Sequence, residues 1–380
     1  MNIRSAVGRV SIPFNHTTKK NTNNTAGLLC SFRSFTQSSS PSADVPTSTS
    51  SSYDYSSAST ATTSTTSTLK SLPLYDFFAN VKAKPSYHLQ SGAAGFSKRR
   101  NNNIPTSQAY CSHQIGEDAY FRRSDSLGVA DGVGGWVNTK GAHPALYARK
   151  LMHHAYLELD RYDNIEDPLF CEYENANPLT ILQHSYEQTT REAQHEELIG
   201  SSTACIGLLR NDELRVANLG DCGISIIRHQ QYVFRSEEQQ HAFNFPYQLG
   251  THSRDKPRHA DAFTVKIEKG DIVIMATDGL FDNVFDRDIL DLIQQQLIPY
   301  SSSSSSLLYR RHQQYIQPQL IANTLATHAK NISESNRSVD TPFQKRAMNE
   351  GIPFIGGKAD DISVLVAIVD DCEDSPDRRL

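Results

Sequence analysis

The sequence predicts an α+β domain built as a four-layer α-β-β-α sandwich, two antiparallel sheets flanked by helices. Three observations lead there. Short strand-like runs separated by turn residues dominate from about residue 109 onward. Four of them follow one another with no helix between, which a doubly wound parallel sheet does not allow. The helical patterns come instead in pairs, each pair suited to one outer face.

In chain order, "AYCSHQI" (109–115), "DAYFRR" (118–123) and "SLGVA" (126–130) read as strands with turns between them. "AHPALYARKLMHHAYLELD" then places Tyr147, Leu151, Met152, Ala155, Tyr156 and Leu159 at helical spacing, with Pro144 in the first turn. A second helix runs from Pro178 to about Glu197, and Asn177 is its N-cap. "STACIGLLR", "ELRVANL", "CGISIIR" and "QYVFR" follow, joined by the pairs Asn-Asp, Gly-Asp and His-Gln, which predicts an antiparallel meander. "AFTVKIE" and "DIVIMAT" are two more strands. Helices near Asp286–Gln296 and Pro318–Ile332 and the strand "ISVLVAIV" complete the set, with the run Ser301–Ser306 as a surface insertion.

Composition bounds the rest. A chain of 380 residues, 38% hydrophobic, buries one large core or two modest ones. No apolar stretch approaches the roughly 20 residues that span a bilayer, so no transmembrane segment is expected. The net charge of −5 gives no sign of a nucleic-acid partner, and the protein is expected to be a monomer. Arg4, Arg9, Lys19, Lys20 and Arg33 all precede the first acid, Asp44. An acid-free, Arg- and Ser-containing leader without an apolar core reads as a mitochondrial presequence, assigned to 1–40, with Ser31–Gln37 holding the candidate cleavage region. Residues 41–71 are a Ser/Thr-rich linker too polar to fold, 72–371 the folded domain and 372–380 a tail. The 6 cysteines form no Cys-x-x-Cys pair, which argues against a zinc knuckle and fits a reducing matrix.

Acids at strand ends carry the functional signal. Asp131 follows "LGVA", Asp278 follows "DIVIMAT", Asp360 and Asp361 precede "ISVLVAIV", and Glu117 and Asp118 precede "AYFRR". Each lies near a glycine: Gly132, Gly279, Gly357 or Gly116. Asp-Gly alone is more often a hairpin turn than a ligand. Yet the strand ends of one sandwich converge, and clustered carboxylates repel unless a hard divalent cation such as Mg²⁺ or Mn²⁺ joins them.

"GEDAYF", "GVADGVGGW", "GSSTACIGLL", "VANLGDCG", "MATDGLFDN" and "GGKADDISVLVAIV" occur in the order found in the metal-dependent protein serine/threonine phosphatases of type 2C, the PPM family, which the chain resembles from about Tyr110 to Val369. "RSEEQQHAFNFPYQL" resembles the mitochondrial branch. The resemblance implies two Mn²⁺ or Mg²⁺ ions, possibly a third, and phosphomonoester hydrolysis by water activated between two cations, without a phosphoenzyme. It implies that Asp131 bridges the ions, that Gly132 offers its carbonyl, that Asp278 and Asp360 hold the second ion, and that Glu117 and Asp118 are the early acidic pair, Glu117 acting through water. Asp131, Asp278 and Asp360 are the candidate catalytic residues, and Asp361 is at most a support. Phosphorylated mitochondrial proteins, including those of coenzyme Q biosynthesis, are the implied substrates.

Two departures stand out. Val133 occupies the position where many relatives carry a histidine that acts as proton donor, and no arginine matches the one that holds phosphate, Arg122 and Arg123 being placed by alternation to point elsewhere. Two rival readings remain. Cys222 and Arg228 have the bare spacing of cysteine-dependent phosphatases, although the residues between them read as a strand rather than a phosphate loop. A non-catalytic phosphoprotein-binding domain of the same fold would be signalled by lost carboxylates, and all are present. His153 and His154 lie on a packed helix, and Trp136 reads as a rim or packing residue.

Overall fold

The computed structural model describes residues 85–98, 109–136, 139–297, 317–335 and 339–372, all within the compact unit Ser71–Leu380. The presequence, the Ser/Thr-rich linker, the Ser301–Ser306 run and all but the first residue of the tail lie outside the described residues.

Two antiparallel sheets form the centre. The first has six strands in the order β13 (Asp261–Lys266), β7 (Glu213–Leu219), β6 (Ala204–Arg210), β4 (Ser126–Ala130), β3 (Asp118–Arg122), β2 (His113–Ile115). The second has five: β1 (Tyr87–Phe96), β15 (Ile362–Asp371), β14 (Ile272–Ala276), β8 (Gly223–Arg228), β9 (Gln231–Arg235). Two short pairs, β5 (Ser201–Ser202) with β12 (Leu249–Gly250) and β10 (Gln240–Ala242) with β11 (Phe245–Pro246), lie apart from them.

Period-two alternation sorts the side chains into layers. On β15, Ile362, Val364, Val366 and Ile368 face one core while Leu365, Ala367 and Val369 face another. The second of these lies between the sheets, where Leu127, Val129, Val216, Ile224 and Met275 meet them. Helices α1 (Pro144–Asp163) and α2 (Pro178–His195) close the outer core of the six-stranded sheet through Leu151, Met152, Ile181 and Leu182 packed with Phe121, Ile206 and Leu208. Helices α4 (Asp286–Leu297) and α5 (Pro318–Ser333) do the same for the five-stranded sheet through Ile289, Ile293, Ile321 and Leu325. The expected four layers are therefore present. Asn177 caps α2 as its sequence predicts, its side chain accepting from Leu179 N.

Three local expectations change. The predicted meander is two hairpins in different sheets: β6 pairs with β7 and β8 with β9, but β7 and β8 share no ladder. Between them Gly220, at φ 104°, turns the chain from one sheet to the other. Strands β6 and β8 are buried almost end to end, so their apolar runs could not indicate which sheet they join. Strand β1 was not expected, because "QSGAAG" carries little strand propensity. Its small residues suit a helix laid on it: Gln319 of α5 donates to Ala93 O at 2.8 Å and accepts from Ala93 N at 3.2 Å. The run 109–115 keeps only β2 as strand, and two further helices appear, α3 (Asp278–Phe281) and α6 (Pro342–Asn349), the latter capped by Thr341.

Strand β15 organises the functional end. It pairs with β1 from Tyr87↔Asp371 to Phe96↔Ile362 and with β14 up to Ala276↔Val364. Lys98, just past β1, Asp278, just past β14, and Asp360, just before β15, thereby arrive at one edge.

Candidate metal centre

Asp131 leaves β4 with its backbone pinned on both sides. Its N–H donates to Thr203 Oγ1 at 3.0 Å, and its carbonyl accepts from Thr203 N and from Ser202 Oγ, each at 2.9 Å. Gly132 N–H donates to Glu117 O at 3.1 Å, and a Cβ at Gly132 would lie 2.5 Å from that carbonyl, so only glycine lets the turn pass. The carboxylate is thus aimed by backbone bonds and leaves its own oxygens free of the fold.

Asp131, Asp221 and Asp278 each bring a carboxylate oxygen within 4.8 Å of the others. Asp278 opens α3 directly after β14, and Asp221 sits on the Gly220 crossover. Burial, then the neighbouring acids Asp278, Asp118, Asp360 and Asp221, push the Asp131 carboxyl well up. Burial and then Asp278 push Asp221 well up, and burial pushes Asp278 up to about 6 although Lys358 opposes it. Asp221 Oδ1, Asp278 Oδ1 and Asp118 Oδ1 are buried and lack any hydrogen-bond partner. Buried, unpartnered and all-oxygen, this donor set fits a hard divalent cation and suits few other groups.

The remaining predicted residues surround these three. Asp118 is fully buried, accepts from Thr277 Oγ1 at 2.9 Å, and is pushed up by burial and then by Asp361. Glu117 and Asp360 are bridged by Lys98, whose Nζ lies 2.9 Å from Glu117 Oε2 and 3.0 Å from Asp360 Oδ1. Burial works against the charge of Asp360, but Lys358 and then Lys98 outweigh it and hold its carboxyl below the ordinary range. Asp361 is a support, accepting from Lys98 N at 2.8 Å and Glu117 N at 2.9 Å.

Sequence reasoning missed Asp221, Lys98, Lys358 and Asp282. Asp221 stands inside "VANLGDCG", where Gly-Asp reads as a hairpin turn. Lys358 bonds Asp278 Oδ2 and lies 2.7 Å from Asp282 Oδ2 and 3.4 Å from Asp360 Oδ2. Arg122 and Arg123 do turn away, to Ser91 O and to Asp125, Asp160 and Asp163.

The thiol arrangement fails physically. Cys222 is fully buried, and burial followed by the charge of Asp131 pushes its thiol well above the ordinary range, against thiolate formation. Arg228 ends β8 in ion pairs with Asp271 and Glu268, so no phosphate loop spans the two residues. Trp136 donates to Ser201 Oγ at 2.7 Å, as a rim residue that fixes its loop.

The family described as Stage II sporulation protein E (SpoIIE) matches residues 154–341. Probable protein phosphatase 2C 55 of Arabidopsis thaliana is 35% identical over 257 residues, covering 67% of this chain and 48% of that protein. The protein phosphatase PTC7 homologs of Danio rerio and Homo sapiens are each 35% identical, cover 74% of this chain, and are themselves covered over 90% and 88% of their lengths. The chain therefore spans about half the length of the plant relative and about nine-tenths of the vertebrate ones. The X-ray structure of the photosystem II phosphatase PBCP is similar with a TM-score of 0.58 and 30% identity, covering 74% of this chain and 99% of its own.

Proposed function

The chain belongs to the type 2C protein phosphatases, and from that premise we propose that it is a Mn²⁺- or Mg²⁺-dependent serine/threonine phosphatase of mitochondrial proteins, those of coenzyme Q biosynthesis among its substrates. The observation that carries the catalytic reading is the trio Asp131, Asp221 and Asp278, with carboxylate oxygens within 4.8 Å of one another, half-buried Asp131 facing buried Asp221 and Asp278, each of which keeps an unpartnered oxygen. The acid-free basic leader supports the mitochondrial part.

Asp131, Asp221, Asp278 and Asp360 hold the cations in this reading, with the Gly132 carbonyl and the Glu117–Asp118 pair completing the set. Bound there, such ions supply Lewis acidity, acidifying water and offsetting charge on phosphoryl oxygens. The protein supplies position. Thr203 and Ser202 fix Asp131, and Thr277 orients Asp118. Lys98, a quarter exposed at the rim, serves in this reading as the cation that receives phosphoryl oxygens, in the role for which the motifs offer no matching arginine. Val133 has no proton to give, so the leaving alkoxide takes its proton from water or from another residue.

An aryl-phosphate assay on the full chain, with Mn²⁺, with chelator, and beside Asp131→Asn, tests the reading. Turnover that requires the metal and is lost in the variant is expected. Metal-independent turnover, or full activity in Asp131→Asn, would overturn it. Comparing the phosphoproteomes of mitochondria with and without the protein tests the substrates: phosphosites should rise in its absence.

A further inference from the structure

Two lysines touch the carboxylate cluster, and they are placed differently. Lys98 sits at the rim. Lys358 lies behind the cluster with a side chain only 14% exposed, its Nζ shared by Asp278, Asp282 and Asp360. Its backbone is locked by Asn283, whose Oδ1 accepts from Lys358 N at 2.9 Å and whose Nδ2 donates to Lys358 O at 3.0 Å. The ammonium also lies 5.1 Å from the centroid of the Phe343 ring. Backbone and ring together hold it in place.

This placement divides the oxygens of the site. Asp278 gives Oδ2 to Lys358 and keeps Oδ1 for the pocket it shares with Asp131 and Asp221. Asp282 gives one oxygen to Lys358 and the other to Arg346. An ammonium and a hard divalent ion seek the same carboxylate oxygens and repel each other at close range. A tethered ammonium, unlike an ion, is neither diluted nor chelated away.

We propose that Lys358 is a built-in cation that fills the Asp278–Asp282 side of the centre and limits it to two exchangeable divalent ions. The inference rests on the metal-centre reading above and adds to it a fixed stoichiometry. With that side compensated by the chain itself, the loop carrying Asp360 keeps its place before any metal arrives.

Titration calorimetry with MnCl₂ on the full chain tests this, using the wild type, Lys358→Gln and Lys358→Arg, with circular dichroism to establish folding. The wild type is expected to bind two Mn²⁺, Lys358→Gln one more, and Lys358→Arg two. A wild type that binds three, or a folded Lys358→Gln with unchanged or lower stoichiometry, would overturn the inference while leaving the metal centre standing. A wild type that binds none would overturn the metal centre itself. Should Lys358→Gln fail to fold, Lys358→Arg decides: two sites agree with a fixed cation on that side, and a third overturns the inference.

Discussion

Lys150 and Lys358 both lie below the surface among carboxylates, and the difference is in what those carboxylates face. Lys150, on α1, reaches Glu192 at 2.6 Å and Glu196 at 2.9 Å, and these partners are 41% and 36% exposed. Burial would raise the Glu192 carboxyl, but Lys150 and His154 together outweigh that and hold it below the ordinary range. The partners of Lys358 are nearly closed off, and beyond them neither Asp131 nor Asp221 forms an ion pair among the described residues. Within the fold, a balanced buried charge joins two helices, whereas a surplus of one sign marks a place waiting for a partner from outside.

The sharpest way to break the contrast is to remove one charge from the surplus. Asp131→Asn should lower turnover by more than the roughly hundredfold that loss of a ligand's outer partner costs, and yet raise the melting temperature of metal-free protein, since it relieves repulsion among buried acids. A lower metal-free melting temperature would mean that the pocket is not overcharged. Glu192→Gln, on the balanced side, should leave turnover unchanged.

The pH dependence of melting is the next effect in size. Burial pushes the Asp278 carboxyl up to about 6, and burial also raises Asp118, Asp131 and Asp221 well above the ordinary carboxylate range. Carboxyls raised in the fold stabilise it fully below their unfolded range, and that contribution is lost as pH climbs through the folded values. In chelator, melting temperature should therefore fall as pH climbs from the ordinary carboxylate range through about 6, and saturating Mn²⁺ should remove the fall. A metal-free melting temperature that rises over this window would contradict the raised carboxyls.

Smaller still, Lys150→Met should cost about 1–2 kcal/mol of stability, reduced from the fully buried case because both glutamates reach water, with the same Mn²⁺ requirement as wild type in the phosphatase assay. Smallest of all, Cys222→Ser should leave turnover within about twofold, since serine keeps a partner for Thr203, 3.1 Å from the thiol. Near-complete loss with retained folding would restore the thiol mechanism.

Much of this contrast was legible beforehand, and the rest had a physical reason to be hidden. Asp131, Asp278 and Asp360 stood out because an acid at either end of an apolar strand is locally inconsistent, and such inconsistency marks sites. Asp221 lacked that signal: two strand runs flank it, and Gly-Asp between strands is an ordinary turn. The error over the meander and the omission of Asp221 are one mistake, since the crossover that separates the hairpins is what delivers the acid. Lys98 and Lys358 were invisible for another reason. A single lysine in a loop has no periodicity, and its meaning comes only from the ladders of β15 that bring residues 98, 278 and 360 together.

That strand has a consequence for when the protein becomes competent. Because β15 lies between β1 and β14, the sheet that presents the centre is split until residues 362–371 take their place. A chain emerging from the ribosome with its amino end first has made Asp131, Asp221 and Asp278 well before then, but neither Asp360 nor the strand that aligns it. A product that stops before residue 362 therefore lacks the strand that joins β1 to β14.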